Sequence, residues 1–297
     1  MRPEIVKIQQ AMEAAEYVTD APVATSVHLA RSLRKPLLIE GHAGVGKTEV
    51  AKVMARVLGT NLIRMQCYEG LDAATALYEW NYQKQLLHIR LTEQQNGRSV
   101  AEREHEIFSE PFLLRRPLLQ AISQTTQAPV LLVDEVDRAD EEFEAFMLEV
   151  FSEWQVTIPE IGTIAATHPP HVILTSNRTR ELSDALRRRC LYLWIDYPTF
   201  EKEVRIVERK VPGINARLAG EIARFMEAMR RVRLSKVPGV AETLDWAQAL
   251  VALHADHLDE ALVMETLGVV LKDADDMKRF RAEVTRSGLA PFLSVQG

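Results

Sequence analysis

The sequence predicts an α/β fold, a mostly parallel sheet flanked by helices and followed by a smaller all-helical domain. Three observations carry that prediction. Short apolar runs recur at Pro36–Glu40, Asn61–Met65, Val130–Val133, Val172–Thr175 and Leu191–Ile195, each bounded by turn or polar residues and separated by helical patterns. A glycine-rich turn, Gly41-His42-Ala43-Gly44-Val45-Gly46-Lys47-Thr48, stands between the first run and the helical pattern Lys47–Leu58. After Pro198 every segment repeats at helical spacing and no β-rich run returns, so two domains are expected, residues 1–197 and 198–297.

Taken in order, residues 4–19 read as an amphipathic helix, and Ala24–Leu33 as a second that runs into Arg34 and Lys35 and is stopped by Pro36. Strand, glycine loop and helix follow. On the helical pattern beyond Glu135, Phe143, Phe146, Met147 and Val150 have core spacing. In Ala216–Leu234, the residues Leu218, Ile222, Phe225, Met226, Met229 and Val232 fall on one face and mark a helix packed into its own core. Pro212-Gly213 and Pro238-Gly239 punctuate the helical half.

Composition narrows the classes. Of 297 residues, 47% are hydrophobic and 26% charged, which excludes disordered and collagen-like chains. Lys and Arg number 36 against 42 Asp and Glu, a net charge of −6 that argues against general affinity for phosphodiester backbones. Glu4 and Lys7 interrupt what a signal peptide would need, and no apolar window is long enough to span a bilayer, so a cytoplasmic protein is expected. Cys67 and Cys190 form no disulfide framework and read as packed thiols.

The chemistry concentrates at three strand ends. Gly41 to Thr48 fits GxxxxGK[ST], whose glycines turn backbone N–H groups toward one point at a helix N-terminus, where triphosphate oxygens find donors and positive partial charge. Gly41, His42, Ala43, Gly44, Val45, Gly46, Lys47, Thr48 and Glu49 are therefore the candidate ATP-binding stretch. Lys47 would reach the β- and γ-phosphates and Thr48 would ligate Mg²⁺. The run Val130–Val133 ends in Asp134 and Glu135, of which Asp134 would face the metal and Glu135 would polarise the attacking water, strand alternation pointing the two apart. Val172–Ser176 ends in Asn177, placed to orient water beside the γ-phosphate or to cap the next turn. Five arginines lie between Arg178 and Arg189, with Arg187, Arg188 and Arg189 consecutive. They read as an arginine finger reaching a neighbouring subunit, as phosphate contacts for nucleic acid, or as solvated cations at a helix end. Glu102 with His105, and His168 with His171, have metal-like spacing but too few partners, and are not taken as sites.

Phosphate loop, Asp-Glu strand, strand-terminal Asn, arginine before a final strand and helical lid occur in the order found in AAA+ ATPases, and the chain resembles that class of P-loop NTPase over most of its length. Within it, Leu131-Leu-Val-Asp-Glu-Val-Asp-Arg-Ala-Asp140 and Phe151–Ile158 resemble the MoxR branch. Arg64–Gly70, Tyr78–Tyr82 and Ser176–Cys190 resemble the CoxD-like accessory ATPases of carbon monoxide dehydrogenase. The resemblance implies a homo-hexameric ring with Lys47, Thr48, Asp134, Glu135 and Asn177 acting in cis and Arg189, or its competitor Arg188, in trans. It further implies a remodelling chaperone for a metalloenzyme client such as a molybdenum hydroxylase, with a von Willebrand factor A-domain partner. It makes Tyr68–Leu87 a candidate for a client-touching insertion, with ordinary core packing the alternative. A DNA-associated motor and a nucleotide-gated scaffold are the other classes the sequence leaves open. Relatives place a second sensing arginine early in a lid helix; here that stretch reads Val240-Ala-Glu242-Thr243, and no sensor is assigned.

Overall fold

The computed structural model describes residues 2–92 and 99–293. Its main sheet has five strands, β1 Leu37–Gly41, β2 Leu62–Gln66, β3 Val130–Asp134, β4 His171–Ser176 and β5 Leu191–Ile195, in the order β2-β3-β4-β1-β5. The β2–β3, β3–β4 and β4–β1 pairings are parallel, with Gln66 opposite Asp134, Val130 opposite His171 and Glu40 opposite Ser176. Parallel register brings the carboxyl ends of these strands to one edge, where open α/β sheets carry their chemistry. Strands β1 and β3 are buried along their whole length, which is why they appear in the sequence as unbroken apolar runs.

Two antiparallel ribbons were not foreseen, Tyr78–Trp80 with Leu113–Arg115 and Gln155–Ile158 with Gly162–Ala165. Strands of three or four residues carry too little periodicity to stand out. The second ribbon begins because Trp154 takes a left-handed conformation (φ 52°) and turns the chain out of the preceding helix.

The helices include α1 Pro3–Ala14, α2 Ala21–Leu33, α3 Lys47–Leu58, α4 Glu141–Glu153, α5 Asp184–Arg189, α6 Phe200–Lys210, α7 Ala216–Arg231, α8 Val240–Ala252, α9 Glu260–Val270 and α10 Ala274–Ser287, with further helices between β2 and β3, Tyr82–Thr92 among them. Helix α1 stops five residues before the expected Thr19. Glu16 is left-handed (φ 61°), and the Tyr17 N–H donates to the Met12 carbonyl at 3.0 Å, which closes the helix as a Schellman-type cap.

Spatially the chain forms two compact units: Met1–Ala21, Gly41–Glu49 and Trp194–Gly297 in one, Pro22–Glu40 and Val50–Leu193 in the other. The change of unit at 193/194 lies close to Tyr197-Pro198, but the helical unit also takes in the N-terminal helix and the glycine loop. The sheet-bearing unit has a core of Leu38, Leu131, Val133, Leu174, Phe143 and Met147 among others. The helical unit is built on α7, whose Leu218, Ile222, Phe225, Met226 and Met229 are all fully buried against residues that include Trp246 and Phe280.

One buried ion pair organises the helical unit. Arg230 donates to both oxygens of Glu203, at 2.6 and 2.7 Å, and the Thr243 hydroxyl donates to the same carboxylate at 2.7 Å, tying α6, α7 and α8 together. The guanidinium also lies 4.8 Å over the Tyr197 ring. Removing one partner of a buried pair strands the other charge, so Arg230→Ala is expected to lower unfolding free energy by about 3–5 kcal/mol, read as a fall in the urea midpoint. A midpoint unchanged from wild type would mean that the pair contributes nothing.

Both cysteines are free, and burial pushes the thiols of Cys67 and Cys190 up to about 12. They are inert packing groups at neutral pH. Among the described residues no helix is long and apolar enough to cross a membrane.

Candidate active site

The phosphate loop leaves β1 at Gly41 and ends in the first turn of α3. A side chain at Gly41 would collide with the Ile195 carbonyl oxygen, 2.1 Å from where its Cβ would stand. Gly44 is left-handed (φ 75°), as the turn requires. Its carbonyl accepts from the Ala241 N–H at 3.2 Å. Opposite it, a Cβ at Gly239 would stand 2.7 Å from the Ala43 carbonyl oxygen, so two glycines permit the loop and the start of α8 to touch. Lys47 is buried, its Nζ donating to the Gly41 and His42 carbonyls at 2.8 and 2.7 Å. The His42 ring stacks on Tyr197 at 4.6 Å and meets Trp194 edge-on at 5.6 Å. Glu49 lies in the first turn of α3, 3.9 Å from Lys210.

The stretch at the start of α8, to which no sensor is assigned, carries Glu242 and Thr243. The Glu242 carboxylate accepts from the Gly239 N–H at 2.8 Å and so caps its own helix, while standing 3.1 Å from where a Gly44 Cβ would be. Thr243 is committed to Glu203.

In the sheet-bearing unit, Asp134 ends β3 almost fully buried. Its Oδ1 accepts from the Thr175 hydroxyl at 2.5 Å, and Oδ2 accepts from Arg64. The same Thr175 oxygen accepts the Glu135 N–H at 3.0 Å. Glu135 lies just beyond the strand in a left-handed conformation (φ 55°, ψ 50°), unusual for a side-chain-bearing residue. Glu135 thus leaves the strand, at a cost of about 1–3 kcal/mol, so the strand alternation expected from sequence does not extend to it. The Glu135 carboxylate accepts from Gln66 at 3.0 Å and from Arg138 at 3.3 Å.

Asn177 follows β4 and lines a groove of about 560 Å³ shared with Glu135, Glu69 and Arg138. Its backbone is fixed by a buried acid, since Asp137 Oδ2 accepts the Asn177 N–H at 3.2 Å, the Thr179 N–H at 2.8 Å and the Thr179 hydroxyl at 2.7 Å. A second buried acid, Glu144, accepts from Arg180 and from the Ser183 N–H, holding the same loop to α4. Arg187, Arg188 and Arg189 form the last turn of α5, all exposed, at the helix end whose dipole favours cations. Glu40, the last residue before the phosphate loop, is buried and accepts from Tyr192 at 3.1 Å with Arg178 at 3.7 Å; burial first, and that hydrogen bond next, raise the Tyr192 phenol.

Sequence reading missed Arg64, Gln66, Asp137, Glu144 and Thr175 as members of the site. For Arg64 and Gln66 a signal existed: two positions apart on a strand, they share one face of the sheet, and Gln66 stands in register with Asp134 on the neighbouring strand. The donor types suit Mg²⁺, for Thr48 offers a hydroxyl and Asp134 a carboxylate, and this ion is held by one or two such groups together with phosphates. Among the described residues no cluster of three or more His, Cys, Asp or Glu could form a closed metal cage.

A parallel sheet in this order, with a phosphate loop after one strand and an acid pair after another, defines a P-loop nucleotide hydrolase of the AAA+ class. The family described as AAA domain (dynein-related subfamily) matches residues 36–190, more than half of the chain, and the chain belongs to it; it is an ATPase. It is similar to the denitrification regulatory protein NirQ of Stutzerimonas stutzeri, 24% identical over 215 residues covering 70% of this chain and 68% of that one. NirQ of Pseudomonas aeruginosa is 28% identical over 211 residues, covering 70% and 72%. Among solved structures, a mutant of Thermotoga maritima RuvB superposes with a TM-score of 0.52 at 19% identity over 93% of this chain and 78% of that one, a likeness of fold alone.

Proposed function

We propose that this ATPase is a remodelling chaperone that works on another protein, assisting the maturation or activation of a metalloenzyme. Exposed apolar surface in the segment between β2 and β3 carries the reading. Tyr82, Leu86, Leu87 and Leu91 are 61%, 58%, 58% and 71% exposed on the helix Tyr82–Thr92, within and just beyond the insertion marked in the sequence. Apolar side chains gathered on a surface element mark a protein-contact face. This segment follows the strand that bears Gln66, and Gln66 donates a hydrogen bond to Glu135, so the insertion is linked to the hydrolytic base through the backbone and one hydrogen bond. Similarity to two proteins named for the regulation of denitrification supports an accessory role in a dedicated enzyme system. On the MoxR and CoxD-like resemblance, the client would be a molybdenum hydroxylase such as carbon monoxide dehydrogenase. The ring would be a hexamer in the cytoplasm, working with a von Willebrand factor A-domain protein.

In this reading the loop N–H groups and Lys47 bind the triphosphate, Thr48 and Asp134 hold Mg²⁺, Glu135 takes the proton of the attacking water, and Asn177 orients that water. Mg²⁺, when bound, would offset the negative charge of the phosphates. Arg189 of a neighbouring subunit adds a second positive charge at the γ-phosphate.

Duplex and single-stranded DNA test the opposing motor reading. Turnover is expected to stay unchanged with either, and severalfold stimulation with salt-sensitive binding would replace the chaperone by a DNA motor.

A further inference from the structure

The sheet-bearing unit joins its two active-site carboxylates through a chain of hydrogen bonds that hydrolysis by itself does not require. Arg64 and Gln66 lie on one face of β2, with Gln66 in register with Asp134. Arg64 Nη2 and Nε donate to Asp134 Oδ2 at 2.6 and 3.0 Å, and Nη2 also donates to Gln66 Oε1 at 2.7 Å. Gln66 Nε2 then donates to Glu135 Oε2 at 3.0 Å. The amide is oriented from both ends, its oxygen on a guanidinium and its NH₂ on a carboxylate, and the flipped amide would satisfy neither. The ends of the Arg64–Asp134 pair differ in exposure. The Asp134 side chain is 5% exposed and that of Arg64 is 55% exposed, so the acid is fixed in the protein while the cation arrives on a solvent-reaching stem that can withdraw.

We propose that Arg64 is a built-in counter-ion that competes with the divalent cation for Asp134, and that Gln66 ties the outcome to the position of Glu135. The proposal rests on Asp134 being a metal ligand. A guanidinium on Asp134 Oδ2 and a divalent cation on the same carboxylate oppose each other, because the two positive charges would stand within a few ångströms of one another and repel. With Arg64 on Asp134, Gln66 is anchored at its oxygen and holds the base. With Arg64 withdrawn, that anchor goes and Glu135 is free to turn toward water. Arg64 is thus a positioning residue that makes base release depend on metal loading, and it restrains hydrolysis at a site without its cation.

The test is Mn²⁺ binding to the full chain with a non-hydrolysable ATP analogue, followed by electron paramagnetic resonance. Arg64→Ala is expected to lower the half-saturating Mn²⁺ concentration about fivefold, the size of a half-exposed ion pair, while analogue affinity in EDTA stays within about twofold. Arg64→Lys keeps the charge and is expected to shift the midpoint by less than half as much; Arg64→Gln gives the neutral reading if the alanine variant does not fold. Gln66→Ala is expected to raise basal turnover while moving the midpoint by less than about twofold, since it breaks only the second link. A folded Arg64→Ala or Arg64→Gln protein with an unchanged or higher Mn²⁺ midpoint overturns the proposal. Asp134→Asn separates the two levels: it should abolish the metal's contribution to analogue binding, and if that contribution survives, the reading of Asp134 as ligand fails irrespective of Arg64.

Discussion

Glu135→Gln is expected to lower ATP turnover by about 10²- to 10⁴-fold, the usual contribution of a positioned general base, with ATP affinity kept within a factor of about two. The amide matches the carboxylate in size, so the left-handed turn at this residue and the groove it shares with Asn177 should persist. Its oxygen can still accept from Gln66, which keeps the side chain on the same partner while removing its basicity. Lys47 and Asp134 are untouched, so binding and chemistry should separate cleanly. Single-turnover hydrolysis read beside fluorescent-nucleotide binding measures both. Normal turnover in a folded Glu135→Gln protein would remove this residue as the base.

The second large effect belongs to the arginine at the end of α5. Fingers supplied in trans to small GTPases are worth about 10³- to 10⁵-fold in turnover, and Arg189→Ala is expected to lose activity on that scale. Arg189 is exposed in the last helical turn, immediately before β5, so its removal should leave the core intact. Trans action has a signature that a local defect lacks. Lys47→Ala and Arg189→Ala subunits are each inactive alone, but a random equal mixture in a shared ring pairs an intact phosphate loop with an intact finger at about a quarter of the sites, which should recover activity. No recovery would count against trans action. Recovery with Arg188→Ala in place of Arg189→Ala, together with an active Arg189→Ala protein, would move the role one residue back.

The sheet was legible because strands covered on both faces have to be apolar, and β1, β3 and β4 stand out against polar flanks. The phosphate loop was legible because its spacing has few other uses. Less visible was whatever depends on one backbone angle or one distant partner. Glu135 reads as the next residue of a strand, and only its positive φ shows that it leaves the strand. Glu144 interrupts the apolar stripe Phe143, Phe146 and Met147 as though it were solvated, yet it is fully buried because Arg180 and Ser183, more than thirty positions away, supply its donors. Arg64 and Gln66 look like the wet face of a half-buried strand, and their role emerges only when β2 is laid beside β3. The close approach of Gly44 and Gly239 joins positions nearly two hundred residues apart. No local pattern encodes such a contact.

The central claim, that ATP turnover here drives work on a protein client, is tested most directly by trapping. Tagged Glu135→Gln protein, expressed in the native host and purified with ATP, should bring down an immature metalloenzyme and an A-domain protein, both released when nucleotide is removed and identified by mass spectrometry. An intact ring that carries DNA-associated proteins instead, or no nucleotide-dependent partner at all, would contradict it.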